Sequence, residues 1–400
     1  MHVISAPRVV ADGVPLGPAC VAMERDVLVG VASGGTYEGR RPDLALPAGV
    51  LAPGLVDLQV NGCFGVDLVA ADPSGWAEVA RRLPETGVTA FLPTFITAPV
   101  PELVAALRRT AALPPGMPGA RVLGVHVEGP FLSRRRHGAH DPALLRHPTP
   151  EAISELLAAA PGLFRIQTLA PELPGALDAI RAFTAAGVLV SIGHSDATAD
   201  QAEAAADAGA RLVTHLFNAM RPLHHREPGI VGQALVDSRL SVGLIADLHH
   251  VAEPVCRLTF AAAAGRVILV TDAVAAAGMP PGDYDLGGQE LAVDPLGLPR
   301  RVDGTIAGSG LRLDAAVANA VAAGVELRSA VDAATRLPAD LVGRPDLGRI
   351  APGAAADLVW LGDDLSTLAT WVGGELAYGG ARLAAAGPLG AGATLESGRP

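Results

Sequence analysis

Arg266-Val-Ile-Leu-Val270-Thr271-Asp272-Ala273 reads as a buried strand that ends in a carboxylate and runs on into a loop. Three further apolar runs end in residues of metal-ligand type: Val125-His126-Val127-Glu128, Ser191-Ile-Gly193-His194 and Val213-Thr214-His215. One acid and several ligands, each at the C-terminal end of a strand, form the pattern of a hydrolytic site in the mouth of a parallel barrel.

Outward from these runs, strands are predicted at 54–60, 88–92, 121–127, 164–169, 188–192, 211–214, 241–246 and 267–270. Ala-rich amphipathic stretches at 76–85, 101–112, 149–160, 173–186 and 199–208 lie between them. Strands alternating with helices imply a parallel sheet, and eight such units suit a (β/α)8 TIM-type barrel over residues 51–346. An open doubly wound sheet is less favoured, because no G-x-G-x-x-G follows the first strand. Residues 1–50 and 347–380 read as short strands broken by Gly and Asp. They are expected to pair into a small β-sandwich domain with the barrel inserted between them. Residues 284–302, with Gly287-Gly288, Pro295, Gly297 and Pro299, read as a hairpin-like insertion or lid. Residues 381–400 read as a loose C-terminal tail.

Composition narrows the classes. Half of the 400 residues are hydrophobic and 18% are charged, which describes a globular chain with a large core. A net charge of −11 argues against nucleic-acid binding. The three cysteines are far apart and form no C-x-x-C, so a reducing cytoplasm is expected. Apolar runs stop short of the ~18 residues a membrane span requires, so no membrane association is expected. The N-terminus lacks a basic segment followed by an apolar one, and no signal peptide is expected.

The chemistry lies at the strand ends. His126 and Glu128 are two apart and so share a face. Glu128, His194 and His215 make a His2Glu set for one divalent metal ion per subunit. Zn is preferred, and Fe, Co and Mn also suit such ligands. His126 is placed as a supporting group behind the ligands. Asp272 is the candidate acid or base. Alone, each residue would read as a solvated strand end, a core histidine or a helix cap; together they favour a site. Two basic loops, Arg134-Arg-Arg-His137-Gly-Ala-His140 and His224-His225-Arg226-Glu227-Pro228-Gly229, are expected above the mouth. In an acidic chain they suggest an anionic substrate such as a phosphate. Asn218-Ala219 and His249-His250 offer further polar groups. Neither a P-loop nor a G-x-S-x-G elbow is present. Ser195 and His194 are adjacent on a strand end, point to opposite sides and make no dyad.

These residues carry a resemblance. Pro53-Gly-Leu-Val-Asp57-Leu-Gln59-Val-Asn61-Gly62, Gly124-Val-His126-Val-Glu128-Gly-Pro130-Phe131, Gly138-Ala-His140 and Gly193-His194-Ser195 come first. Thr214-His215-Leu-Phe-Asn218-Ala219-Met220, Arg226-Glu-Pro228-Gly229, Thr271-Asp272-Ala273 and Asp303-Gly304-Thr-Ile306-Ala-Gly308-Ser309 follow in order. With them, residues 53–310 resemble the N-acetylglucosamine-6-phosphate deacetylases of the amidohydrolase superfamily. The resemblance implies hydrolysis of N-acetyl-D-glucosamine 6-phosphate to acetate and D-glucosamine 6-phosphate. Glu128, His194 and His215 would hold the metal, and Asp272 would be the general base and then the acid. Arg226 would bind the phosphate. Ala139, His140, Asn218, Ala219, His250, Ile306, Ala307 and Gly308 would contact the rest of the substrate. A homodimer is implied, because such phosphate sites often borrow residues from a second subunit.

Many amidohydrolases carry His-x-His at the first strand end and bind two metals. Gln59 and Asn61 stand there in this chain, so it resembles the single-metal branch. It departs from the family's usual pattern at His137, where Lys is usual, and at Leu248, where Gly is usual. A deacetylase of N-acetylgalactosamine 6-phosphate, a related amidohydrolase and a non-catalytic sugar-phosphate-binding barrel are the alternative readings.

Overall fold

The computed structural model describes residues 1–12, 16–114, 116–294 and 297–386. Strands Leu55–Val60, Val88–Phe95, Val125–Glu128, Phe164–Leu169, Leu189–Ile192, Leu212–Val213, Ser241–Leu244 and Val267–Leu269 pair in that order, all parallel. They are barrel strands one to eight. The seam between the eighth strand and the first is closed differently. A single parallel bridge joins Val60 to Ala273, and the Asn61 N–H donates to the Ala273 carbonyl at 2.8 Å. Side chains complete the closure. Asp57, buried in strand one, accepts from the Thr271 hydroxyl at 2.7 Å and from the Thr271 N–H at 3.3 Å.

Helices α1 (Pro73–Arg82), α2 (Val100–Ala111), α3 (Pro150–Ala159), α4 (Ala176–Ala185), α5 (Ala199–Ala208), α6 (Gly229–Val236) and α7 (Glu253–Ala262) connect successive strands. Helix α8 (Leu313–Ala322) follows the eighth. Their starts are encoded locally. Asp72 and Thr149 cap α1 and α3, each just before a proline whose fixed φ suits the first turn. Thr198 and Gln201 form a reciprocal capping box on α5.

The barrel interior is filled by Val56, Leu58, Ala90, Leu92, Ile166, Leu212, Ile268 and Val270, and Ala339 and Leu347 belong to the same cluster. Fully burying each large aliphatic chain contributes about 1.5–3 kcal/mol. A larger core, with Phe91, Phe95, Phe131 and Phe183, joins strands to helices.

Strands from both ends of the chain form one mixed sheet. Val50–Pro53 pairs antiparallel with Leu358–Leu361, so the segment leading into the barrel is held by the segment leaving it. His2–Val9, Gly17–Glu24 and Val27–Ser33 extend the sheet on one side, and Thr367–Val372 and Glu375–Tyr378 on the other. Arg121 at the foot of the barrel pairs with the buried Asp357 beside this sheet. The tail expected from residue 381 begins instead as a helix, Gly380–Ala386, whose Leu383 packs on the sheet core. Its remainder, 387–400, lies outside the described residues.

The insertion after strand eight is a three-stranded antiparallel sheet: Asp283–Leu286, Gln289–Val293 and Pro299–Arg300. Leu286, Leu291 and Val293 pack on Val274, Ala276 and Ala307, which seats this sheet over the mouth. Gly287 N–H donates to Asp67, and Arg301 donates to the Ala139 carbonyl. Gly308 lies beneath it at φ +60°, and a Cβ there would come 2.3 Å from Val274 Cγ1 and 2.9 Å from the Asp272 carbonyl oxygen. Gly308→Ala is therefore expected to destabilise the fold by about 1–3 kcal/mol. Urea unfolding measures this, and an unchanged midpoint would count against so tight an approach.

Candidate active site

The strand ends converge on a cavity of about 300 Å³. Glu128, His194 and His215 are buried there, with ligand atoms close together. Glu128 Oε1 lies 3.1 Å from His215 Nε2 and 3.2 Å from His194 Nε2, and the two Nε2 atoms are 3.1 Å apart. Donors about 2.0–2.1 Å from a tetrahedral ion sit about 3.3 Å from one another, so this spacing fits a metal. The histidine geometry agrees. His194 Nδ1 lies 3.0 Å from the Arg136 carbonyl, to which only a protonated nitrogen can donate, leaving the Nε2 lone pair facing the other ligands. Despite burial, the two imidazoles facing the Glu128 carboxyl hold it well below its usual range.

Backbone shape contributes to this convergence. His194 (φ 46°), His215 (φ 26°) and Asp272 (φ 51°) all occupy the left-handed region just past their strands. Such strain in non-glycine residues clusters at functional sites. Under the ligands runs a chain of buried hydroxyls. His126 Nε2 lies 2.7 Å from Thr168 Oγ1, which is 2.7 Å from Thr214 Oγ1, which is 2.5 Å from Ser191 Oγ. This chain crosses strands three to six, which carry Glu128, His194 and His215 at or just past their ends. His126 faces inward, and its Nδ1 lies 3.2 Å from the Leu58 carbonyl. It belongs to this supporting layer, and burial pushes its pKa down to about 4.

Asp272 is buried beside the trio, and burial, then the Glu128 charge, push its carboxyl up. Its Oδ1 accepts from Asn61 Nδ2 at 2.8 Å and from Gln59 Nε2 at 3.0 Å. Gln59 Nε2 also lies 3.2 Å from Glu128 Oε2. The two amides at the end of strand one therefore donate to two carboxylates.

Ala139, His140, Asn218, Ala219, His250, Ile306 and Gly308 line the same cavity as Asp272 and the trio. His140 Nδ1 is met by Thr97 Oγ1 at 2.8 Å and by the Thr97 N–H at 3.3 Å. A main-chain N–H can only donate, so the ring proton sits on Nε2. Burial, then His194, push His140 down to about 3, which keeps it neutral. Asp247 lies 2.7 Å from His250 Nδ1 and accepts the N–H groups of His249 and His250. Both histidines line the cavity; His250 is anchored and His249 exposed.

Two predicted contacts lie elsewhere. Ala307 is fully buried under the lid sheet with Val274, and Arg226 is on an exposed loop outside the cavity, 2.8 Å from His225 Nε2. The basic run at 134–136 also lies outside it. Arg135, Arg136 and Arg221 surround Asp196 instead. Ser195 donates to Glu172, away from His194. The sequence reading missed Ile96, Ile245, Leu286 and Thr305 in the lining, and Asp57, Thr168, Ser191 and Thr271 behind it. Only inward positions next to ligands or acid signalled the second group.

A barrel in which, among the described residues, one buried Glu-His-His trio able to hold a metal lies beside an acid defines a class, and comparison with known proteins agrees. The Amidohydrolase family model matches residues 50–377, and the chain belongs to that family. Family members are metal-dependent hydrolases, and the Glu-His-His trio is able to hold a metal. The chain is 44% identical over 342 residues to the N-acetylglucosamine-6-phosphate deacetylase of Bos taurus, covering 82% of this chain and 83% of that one. It is 41% identical over 333 residues to the N-acetylgalactosamine-6-phosphate deacetylase of Escherichia coli O157:H7, covering 82% and 88%. A mutant N-acetyl-D-glucosamine-6-phosphate deacetylase from Mycobacterium smegmatis, solved in complex with N-acetyl-D-glucosamine-6-phosphate, matches with a TM-score of 0.89 and 37% identity. That match covers 94% of this chain and 99% of the other. Among the described residues no helix is long and apolar enough to cross a membrane.

Proposed function

We propose that this chain removes the acetyl group from N-acetyl-D-glucosamine 6-phosphate in amino sugar catabolism, releasing D-glucosamine 6-phosphate and acetate. The carrying observation is that Glu128, His194, His215 and Asp272 face one another in a cavity that also presents His140, Asn218 and His250. The similarity to the deacetylase of Bos taurus supports the substrate.

Glu128, His194 and His215 hold one divalent ion, for which two imidazoles and a carboxylate at tetrahedral spacing favour Zn, with Fe, Co and Mn also accommodated. When bound, the ion supplies Lewis-acid chemistry, polarising a carbonyl and acidifying water. The protein's own part is proton handling. Asp272 takes a proton as water adds to the acetyl carbon, and gives it to the nitrogen as the C–N bond breaks. The products are a carboxylic acid and an amine, so atoms and protons balance. Neutral His140 offers its Nε2–H to the acetyl oxygen or a sugar hydroxyl. His250, Asn218, Ala139, Ala219, Ile306 and Gly308 shape the sugar side, and Ala307 supports the loop that carries the last two.

Arg226 binds the phosphate. Its exposure outside its own cavity fits a contact across a homodimer, each subunit completing the other's site. Arg226→Ala is expected to raise KM for phosphorylated substrates about 10- to 100-fold and to leave that for unphosphorylated N-acetylglucosamine unchanged. Equal losses on both would remove the role. Residues 51–346 form the catalytic unit, and 1–50 with 347–380 the small β unit. Three buried free cysteines support a cytoplasmic setting.

The galacto epimer is a second reading, favoured by the Escherichia coli relative. Acetate release from N-acetylglucosamine 6-phosphate, N-acetylgalactosamine 6-phosphate and N-acetylglucosamine, with and without a chelator, tests both. The gluco phosphate is expected to have the highest kcat/KM. A higher value for the galacto phosphate would shift the assignment, and no chelator-sensitive release from any of the three would overturn it.

A further inference from the structure

We propose that Gln59 and Asn61 are positioning residues for Asp272, forming a neutral clamp that holds one carboxylate oxygen and leaves the other as the proton-handling atom. This rests on the assignment of Asp272 as the acid–base group.

Both amides donate to the same atom, Asp272 Oδ1, at 3.0 and 2.8 Å. All three side chains are more than nine-tenths buried, so solvent competes little for these donors. Two donors on Oδ1 fix the carboxylate plane and stabilise negative charge there, so the proton goes to Oδ2. Among the described residues Asn61 Oδ1 is buried without a hydrogen-bond partner, and the side-chain hydrogen bond this amide makes goes to Asp272. Gln59 Nε2 lies between Glu128 Oε2 and Asp272 Oδ1 and separates two carboxylates that would otherwise repel. The clamp is itself held from behind. Asp57 Oδ1 accepts the Gln59 N–H at 3.2 Å and the Thr271 N–H at 3.3 Å, tying the strand that carries the amides to the strand that carries the acid. On the far side, Ser309 N–H donates to the Asp272 carbonyl at 2.8 Å. Asp272 is thus fixed at its backbone and at one oxygen, beside the Val60–Ala273 bridge that closes the barrel.

The test is a double-mutant cycle between Asn61→Ala and Asp272→Asn, with Asn61→Ser as the second variant should the alanine form fold poorly. Asn61→Ala is expected to lower kcat about 10- to 100-fold with KM and metal content nearly unchanged. In the Asp272→Asn background the same change should cost almost nothing, because a residue acting only through another has no effect once that one is disabled. Equal losses in both backgrounds, or a raised KM at constant kcat, would overturn the clamp. A second readout is independent of the substrate. A crystal structure of the metal-loaded Asn61→Ala protein should show the Asp272 side chain rotated or in two rotamers; one unchanged rotamer would overturn the proposal even if the substrate assignment failed.

Discussion

Asp272→Asn is expected to keep its metal and to lose turnover by about 10³-fold, within the range general acid–base groups contribute. The substitution isolates chemistry from structure. Asparagine has nearly the same shape, and it tolerates the left-handed φ of 51° as well as aspartate does. Its amide oxygen can still accept from Gln59 and Asn61 at the Oδ1 position. The NH2 group then occupies the Oδ2 position, where it cannot take a proton from water. Metal content, melting temperature and KM should all stay close to those of the parent. Turnover within a few-fold of the parent would remove Asp272 as the base, and loss of metal would mean that it serves the trio instead.

The second large effect concerns the trio. His215→Ala should yield protein that purifies without stoichiometric metal and turns over on the order of a thousandfold more slowly. Two causes add here. One of three protein donors is lost, and the buried Glu128 carboxylate loses the imidazole that faces it at 3.1 Å. Chelation of the parent should give the same loss, restored by adding Zn²⁺, Fe²⁺, Co²⁺ or Mn²⁺ back. His215→Ala protein that holds one metal per chain and retains its activity would show that the ion is held elsewhere.

Much of this arrangement was legible in the chain. The eight barrel strands are rich in apolar residues on both faces, because a parallel strand covered on both sides has no solvent face to display. Glu128, His194 and His215 each stand at or just past the end of such a strand, where the barrel opens. What stayed hidden was pairing across long separations. Asp57 and Thr271 are 214 residues apart, and nothing local tells a buried aspartate that closes a seam from one that caps a turn. The hydroxyl chain of Thr168, Thr214 and Ser191 was hidden because Thr and Ser are ordinary strand residues. Only the fold shows that three strands turn theirs toward one another. The Arg134–Arg136 run misled for a related reason. Its charge is evident, but its acceptor, Asp196, comes from a different loop.

The left-handed backbone at His194, His215 and Asp272 also limits how these positions can change over time. A replacement must be chemically useful and must also accept a positive φ, which β-branched and bulky side chains resist and which Gly, Asn, Asp and His accept more readily. The backbone thus filters substitutions before any question of reactivity arises. Drift is confined to a short alphabet at each position, and among acidic ligands aspartate suits the two histidine positions better than glutamate. Attempts to re-ligate this barrel for another ion should begin from that alphabet.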